Sequence, residues 1–142
     1  MKLVVDTNIL FSALLKKESK ELELLLREKH DFFIPKTLFI ELFKHKEKLI
    51  KISKLKEDEI LELLHSVLEK LEVVDDKNIP LKYRKKAYNL VKDIDLADTI
   101  FVALALLLDA KLWSGDKRLK ESLESKGENI VLSTKDISMF RS

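Results

Sequence analysis

The chain has no cysteine and no glutamine, only two glycines and two prolines, and its longest uncharged apolar run is Ile100 to Leu108. Without cysteine there is no disulfide, no thiolate chemistry and no Cys-ligated zinc. Gly115 and Gly127 cannot between them build a glycine-rich phosphate loop, which excludes a dinucleotide-binding role. The Ile100–Leu108 run falls far short of the ~20 residues that span a bilayer, and the first residues lack the basic-then-apolar pattern of a secretory signal. A soluble, cytoplasmic protein with no membrane contact is expected. His30, His45 and His65 show no metal-ligand spacing, so any metal must rest on oxygen donors. Lysine and arginine exceed aspartate and glutamate by only two, too few for a global field that would announce nucleic-acid binding.

What is present is apolar residue and charge. At 142 residues with 46% apolar content, the chain is long enough for a single domain, 1–142, with its own core. A charged fraction of 37%, with few glycines and no glutamine, resembles the composition of proteins from hot environments.

Lys2 to Asp6 reads as a short apolar strand of the kind buried on both faces of a parallel sheet. Thr7 or Asn8 can cap a helix running to about Leu15, and Ser19 a second with leucines at three- and four-residue spacing. Asp31 to Pro35 is a second strand. KTLFIELFKHKEKLIK, from Lys36, has helical period, and a further helix follows with an apolar stripe of Ile60, Leu63, Leu64, Val67, Leu68 and Leu71. Pro80 suits the start of another helix, and DIDLADTIFVALALLLDA forms a strongly apolar one. KLWSGD and NIVLS are short strands flanking the helix DKRLKESLESKG, with Gly127 as its stop. Brief apolar strands alternating with helices predict a three-layer α/β/α sandwich with a short, mainly parallel central sheet. In such sheets ligands bind beyond the carboxyl ends of the strands. Asp6 ends one strand and Asp116 closely follows another, so both carboxylates should face the same edge.

Three more acids stand out. Glu41 lies within LFIELF and shares a helix face with Leu38, Leu42, His45 and Leu49, where an ionised carboxylate is costly without a partner. Asp95 and Asp98 are three residues apart at the start of the apolar helix. Each has a plainer reading. Asp95 can be an N-cap with Asp98 favoured by the helix dipole, and Asp116 can simply cap the helix that follows it. That reading is weaker for Asp6, because Thr7 and Asn8 already offer capping oxygens, and weakest for Glu41 among phenylalanines and leucines. Four ionised carboxylates gathered ~5 Å apart would repel by about 3 kcal/mol per pair at an effective dielectric near 20. Such a cluster either keeps carboxyls protonated or holds a divalent cation, and an all-oxygen set suits Mg²⁺ or Mn²⁺. The helix N-termini beneath Asp6, Asp98 and Asp116 should help keep these acids ionised.

VVDTNIL, PKTLFIELF, DIDLADTIFVALA and LWSGDKRL, in this order and spacing, resemble the motifs of the PIN domain family. The likeness is greatest to the single-domain, VapC-like ribonucleases of bacterial and archaeal toxin–antitoxin systems. It covers Leu3 to about Leu132. The resemblance implies Asp6, Glu41, Asp98 and Asp116 as catalytic and metal-binding carboxylates, with Asp95 as a further ligand found in one branch. Counting back from FVALA gives Asp98 the family's usual place. Asn8, Ser114 and neighbouring Thr7 would support the ligands or the attacking water. The implied activity is Mg²⁺- or Mn²⁺-dependent endonucleolytic hydrolysis of RNA, leaving a 5′-phosphate and a free 3′-hydroxyl. A homodimer and a cognate antitoxin are the implied partners.

Lys36, Lys117, Arg118, Arg84 and Lys85 are candidate RNA contacts, although YRKK (83–86) reads more readily as a solvated helix face. Trp113 reads as core, and His45 as a satisfied histidine on the face of Glu41. The competing reading keeps the fold without the chemistry: a non-catalytic scaffold that binds RNA or protein. Phosphotransfer on an aspartate would need a DxD arrangement or an acidic pair with a downstream lysine, and DTN supplies neither.

Overall fold

The computed structural model describes residues 1–15, 18–27 and 29–140. Its frame is one five-stranded sheet: β1 (Lys2–Val5), β2 (Asp31–Pro35), β3 (Leu71–Val74), β4 (Lys111–Trp113) and β5 (Val131–Leu132). The strands lie in the order β3-β2-β1-β4-β5, and every neighbouring pair is parallel. Leu3, Val4 and Val5 are completely buried although successive side chains point to opposite faces, because helices cover both sides of the sheet. This is the expected α/β/α sandwich.

The helices are α1 (Thr7–Leu14), α2 (Lys20–Arg27), α3 (Lys36–Lys44), α4 (Lys46–Ile52), α5 (Glu57–Lys70), α6 (Leu81–Val91), α7 (Thr99–Leu108), α8 (Lys117–Ser125) and α9 (Thr134–Ser138). α7 carries the most hydrophobic stretch of the chain. Five consecutive residues, Phe101 to Ala105, are buried as it crosses β1, β2 and β4. Trp113 is fully buried and its indole N–H donates to the Thr134 hydroxyl at 3.0 Å, so it belongs to the core as expected. Ser19 caps α2 by accepting from the Leu22 N–H, and Gly127 follows α8 with φ +82°, a backbone state in which glycine avoids the Cβ penalty.

Four features depart from the expected elements. Asp6, not Thr7 or Asn8, caps α1, because the chain leaves β1 extended (φ −81°, ψ 167°) and turns helical at Thr7. The helix expected from Lys36 breaks at His45, which separates α3 from α4. Leu71, read as part of a helical stripe, opens β3 instead. That strand pairs on one side only, with β2, and Glu72 and Val73 are exposed, so its sequence shows no buried alternation. Finally, the long apolar helix begins as a 3₁₀ turn over Leu96–Asp98 before α7.

Candidate active site

β1 and β4 are adjacent, and after them the chain diverges to opposite sides of the sheet. Their carboxyl ends therefore form the crevice where open α/β sheets bind ligands. Asp6 leaves β1 at this edge, its N–H donating to the Trp113 carbonyl of β4 at 3.2 Å. Ser114 and Asp116 leave β4 beside it.

Asp6 is 9% exposed. Its Oδ1 accepts from the Ile9 N–H at 3.0 Å, and the carboxylate also receives the Asn8 N–H and the Ser114 hydroxyl. Burial pushes its pKa up, and the charge of Asp116 adds to that push. The three hydrogen bonds pull the other way. Ser114 is buried and bonded on both sides: its Oγ accepts the Asp116 N–H at 3.1 Å and donates to Asp6. Asp116 caps α8, its Oδ1 accepting from the Leu119 N–H at 3.1 Å.

The third acid comes from another part of the chain. Asp95 caps the 3₁₀ turn through the Ala97 N–H at 3.0 Å, which is its plain structural role. Asp98 occupies the cap position of α7 yet makes no side-chain cap bond, and its Oδ2 is buried without a hydrogen-bond partner. Its pKa is pushed up to about 6, first by burial and then by the charges of Asp95, Asp116 and Asp6. Three chain-distant aspartates thus stand within one another's field. The expectation that helix N-termini keep them ionised needs correction. At Asp6 burial outweighs the helix N–H groups, and Asp98 has no capping bond to them.

Glu41 is placed differently. Its carboxylate pairs with His45, Oε2 to Nε2 at 3.2 Å, and it is not among the charges acting on Asp6 or Asp98. Among the described residues, no three acidic or histidine side chains are close enough to form a ready-made cation site. The donors nonetheless fit a hard divalent ion in kind. They are all carboxylates, they repel one another, and one buried oxygen is unpartnered.

The basic candidates divide as well. Arg84 donates to the carbonyls of Asp76 and Ile79, tying down the turn ahead of α6, and Lys36 pairs with Asp75 at 3.8 Å. Lys117 and Arg118 are exposed in the first turn of α8, directly after Asp116. Lys85 lines a cavity of about 440 Å³ with Tyr88, Leu81, Leu96 and Thr99, and this cavity reaches the residues on either side of Asp98. Sequence reading did not anticipate that hollow. Its only signal was the pair of leucines at two helix starts, Leu81 and Leu96, which are both largely exposed.

A comparison with curated proteins finds no match. Among solved structures, the chain is similar to one in the crystal structure of VapBC2 from Rickettsia felis bound to a DNA fragment from their promoter. The two share 21% identity, the match covers 94% of this chain and 98% of that one, and the TM-score is 0.67. At that identity the likeness is one of fold. No described helix is long and apolar enough to cross a membrane. A family model for the PIN domain matches residues 4–133, nearly the whole chain, and with the strand order and the four motifs in place the chain belongs to the PIN domain family.

Proposed function

We propose that this protein is a VapC-like ribonuclease that hydrolyses RNA phosphodiester bonds with the help of Mg²⁺ or Mn²⁺, and that it acts in the cytoplasm as the toxin of a toxin–antitoxin pair. The observation that carries this reading is the meeting of Asp6, Asp98 and Asp116 at the carboxyl edge of the sheet, with the Asp98 Oδ2 buried and unpartnered. Asp6, Asp98 and Asp116 would hold the ion, with Asp95 adding charge and Glu41 as a further carboxylate supplied from α3. Such an ion supplies charge neutralisation for a phosphate and lowers the pKa of water.

The protein groups have separable tasks. Ser114 and the Asn8 N–H fix the Asp6 carboxylate, and Ser114 also ties the Asp116 loop to it. Thr7 is the first residue of α1 and stands next to Asp6. Lys117, Arg118 and Lys85 would hold phosphates near the acids, which positions RNA without reading its bases. Arg84 and Lys36 are set aside, since both have structural partners. An antitoxin partner follows from the VapC-like resemblance of the motifs, and the similarity to a chain of VapBC2 supports it. A homodimer fits the exposed apolar residues Ile40, Phe43, Ile52 and Leu61 on α3 to α5.

The test is RNA cleavage by the purified protein with Mg²⁺ or Mn²⁺, measured beside Asp98→Asn. Cleavage by wild type and none by the variant is expected. RNA binding without cleavage under any metal would favour the scaffold, and undiminished cleavage by the variant would refute the site.

A further inference from the structure

We infer that His45 is a positioning residue that holds Glu41 away from the three-aspartate centre until a divalent ion draws it in. The inference rests on the metal-dependent reading above. It begins with direction along a helix. Side chains on an α-helix lean toward its N-terminus. α3 starts at Lys36, directly after β2 delivers the chain to the carboxyl edge of the sheet, so an unrestrained Glu41 leans toward the edge that carries Asp6. Instead its Oε2 meets the Nε2 of His45, one turn further along and away from that edge.

The backbone of His45 is held at the junction of the two helices. It stands between α3 and α4 with φ −102° and ψ 11°, outside either helix, and its N–H donates to the carbonyls of Glu41 and Phe43. His45 is one of the residues lining an apolar pocket of about 240 Å³ between α1 and α4, with Phe11, Leu15 and Leu49. The two side chains are about equally exposed, 51% for His45 and 42% for Glu41, so the bond that holds Glu41 is one its carboxylate can leave.

The state of the centre agrees with a withheld fourth acid. Asp98 feels Asp95, Asp116 and Asp6 but not Glu41, and no ready-made set of three ligands exists among the described residues. Bringing a fourth like charge into that group without a cation would add repulsion, so the His45 bond gives Glu41 a better resting place. Once an ion is present the balance reverses, and recruiting Glu41 costs only one half-exposed bond.

The test is Mn²⁺ affinity measured by electron paramagnetic resonance on RNA-free protein, with Mg²⁺-dependent NMR shifts of the His45 ring as a second readout. His45→Ala is expected to bind Mn²⁺ about two- to fivefold more tightly than wild type, since the competing bond is gone. His45→Gln, which can still donate to Glu41, should keep wild-type affinity and guards against a mere folding defect at the helix junction. In a Glu41→Gln background His45→Ala should change nothing, and in wild type Mg²⁺ should move the His45 ring signals. Equal or weaker binding by His45→Ala, a gain that survives Glu41→Gln, or an unmoved His45 ring overturns the inference. Failure of wild type itself to bind Mn²⁺ overturns the metal reading, and the clamp with it.

Discussion

Asp116 and Asp98 are the same residue type at the same position, the first residue ahead of a helix, yet the fold uses them in opposite ways. Asp116 closes α8 with a hydrogen bond to the Leu119 N–H, whereas Asp98 closes nothing and keeps a buried oxygen without a partner. The 3₁₀ turn explains the difference. Asp95 caps that turn, the backbone is already helical at Asp98 (φ −79°, ψ −11°), and so the Asp98 carboxylate is free of capping duty. One acid therefore serves folding as well as the site, and the other burdens folding. An uncompensated buried polar oxygen that persists in a small domain is a mark of a site for something else.

The largest effect that sharpens this contrast should come from activity. Asp98→Asn is expected to lower Mn²⁺-dependent RNA cleavage by about a hundredfold or more while leaving the metal-free protein as stable as before or more stable. Calorimetry without metal, beside a cleavage assay, checks both halves. Asp116→Ala should lose activity similarly but also lose about 1 kcal/mol of stability with the cap, or roughly 3 °C in Tm. Asp116→Asn keeps a capping oxygen and should restore the Tm alone. If Asp98→Ala proves as destabilising as Asp116→Ala, the contrast fails.

Ser114→Ala comes next, with cleavage falling about tenfold as Asp6 loses the hydroxyl bond. The accompanying sign is a further rise in the Asp6 pKa, followed by carboxyl NMR. The smallest effect concerns pH. Asp98 titrates near 6 when folded against an ordinary value of 3.8, so the folded chain binds that proton more tightly than the unfolded one. Its contribution to metal-free stability is then full at pH below 3.8 and lost as pH rises through 6. Asp93 and Asp136, whose pKa values are lowered by Lys126 and Lys120, act in the opposite direction at lower pH. The difference in Tm between wild type and Asp98→Asn, traced from pH 4 to 7, isolates the Asp98 share. A flat difference would remove the buried-acid account.

Much of this arrangement was legible in the chain. Four of five strands announce themselves, because a strand buried on both faces must be continuously apolar, as in KLVV and DFFIP. β3 did not, since an edge strand with Glu72 and Val73 exposed looks like the frayed end of the helix before it. The three aspartates were readable as a group from their strand and helix ends. Asp95 was readable as a cap, but not the 3₁₀ turn that it caps, which local spacing does not distinguish from a first α-helical turn. Glu41 shows how a helix face can be read two ways. Its neighbours Leu38 and Leu42 are buried, which singled the acid out, and its carboxylate pairs along the helix with His45.

The Ser114 hydroxyl has one proton, and the fold commits it to Asp6 while the oxygen takes the Asp116 amide. A single atom pair thereby couples residues separated by more than a hundred positions, so that neither motif can drift alone. Alanine in place of Ser114 would take from the Asp6 carboxylate and the Asp116 amide the one partner that they share.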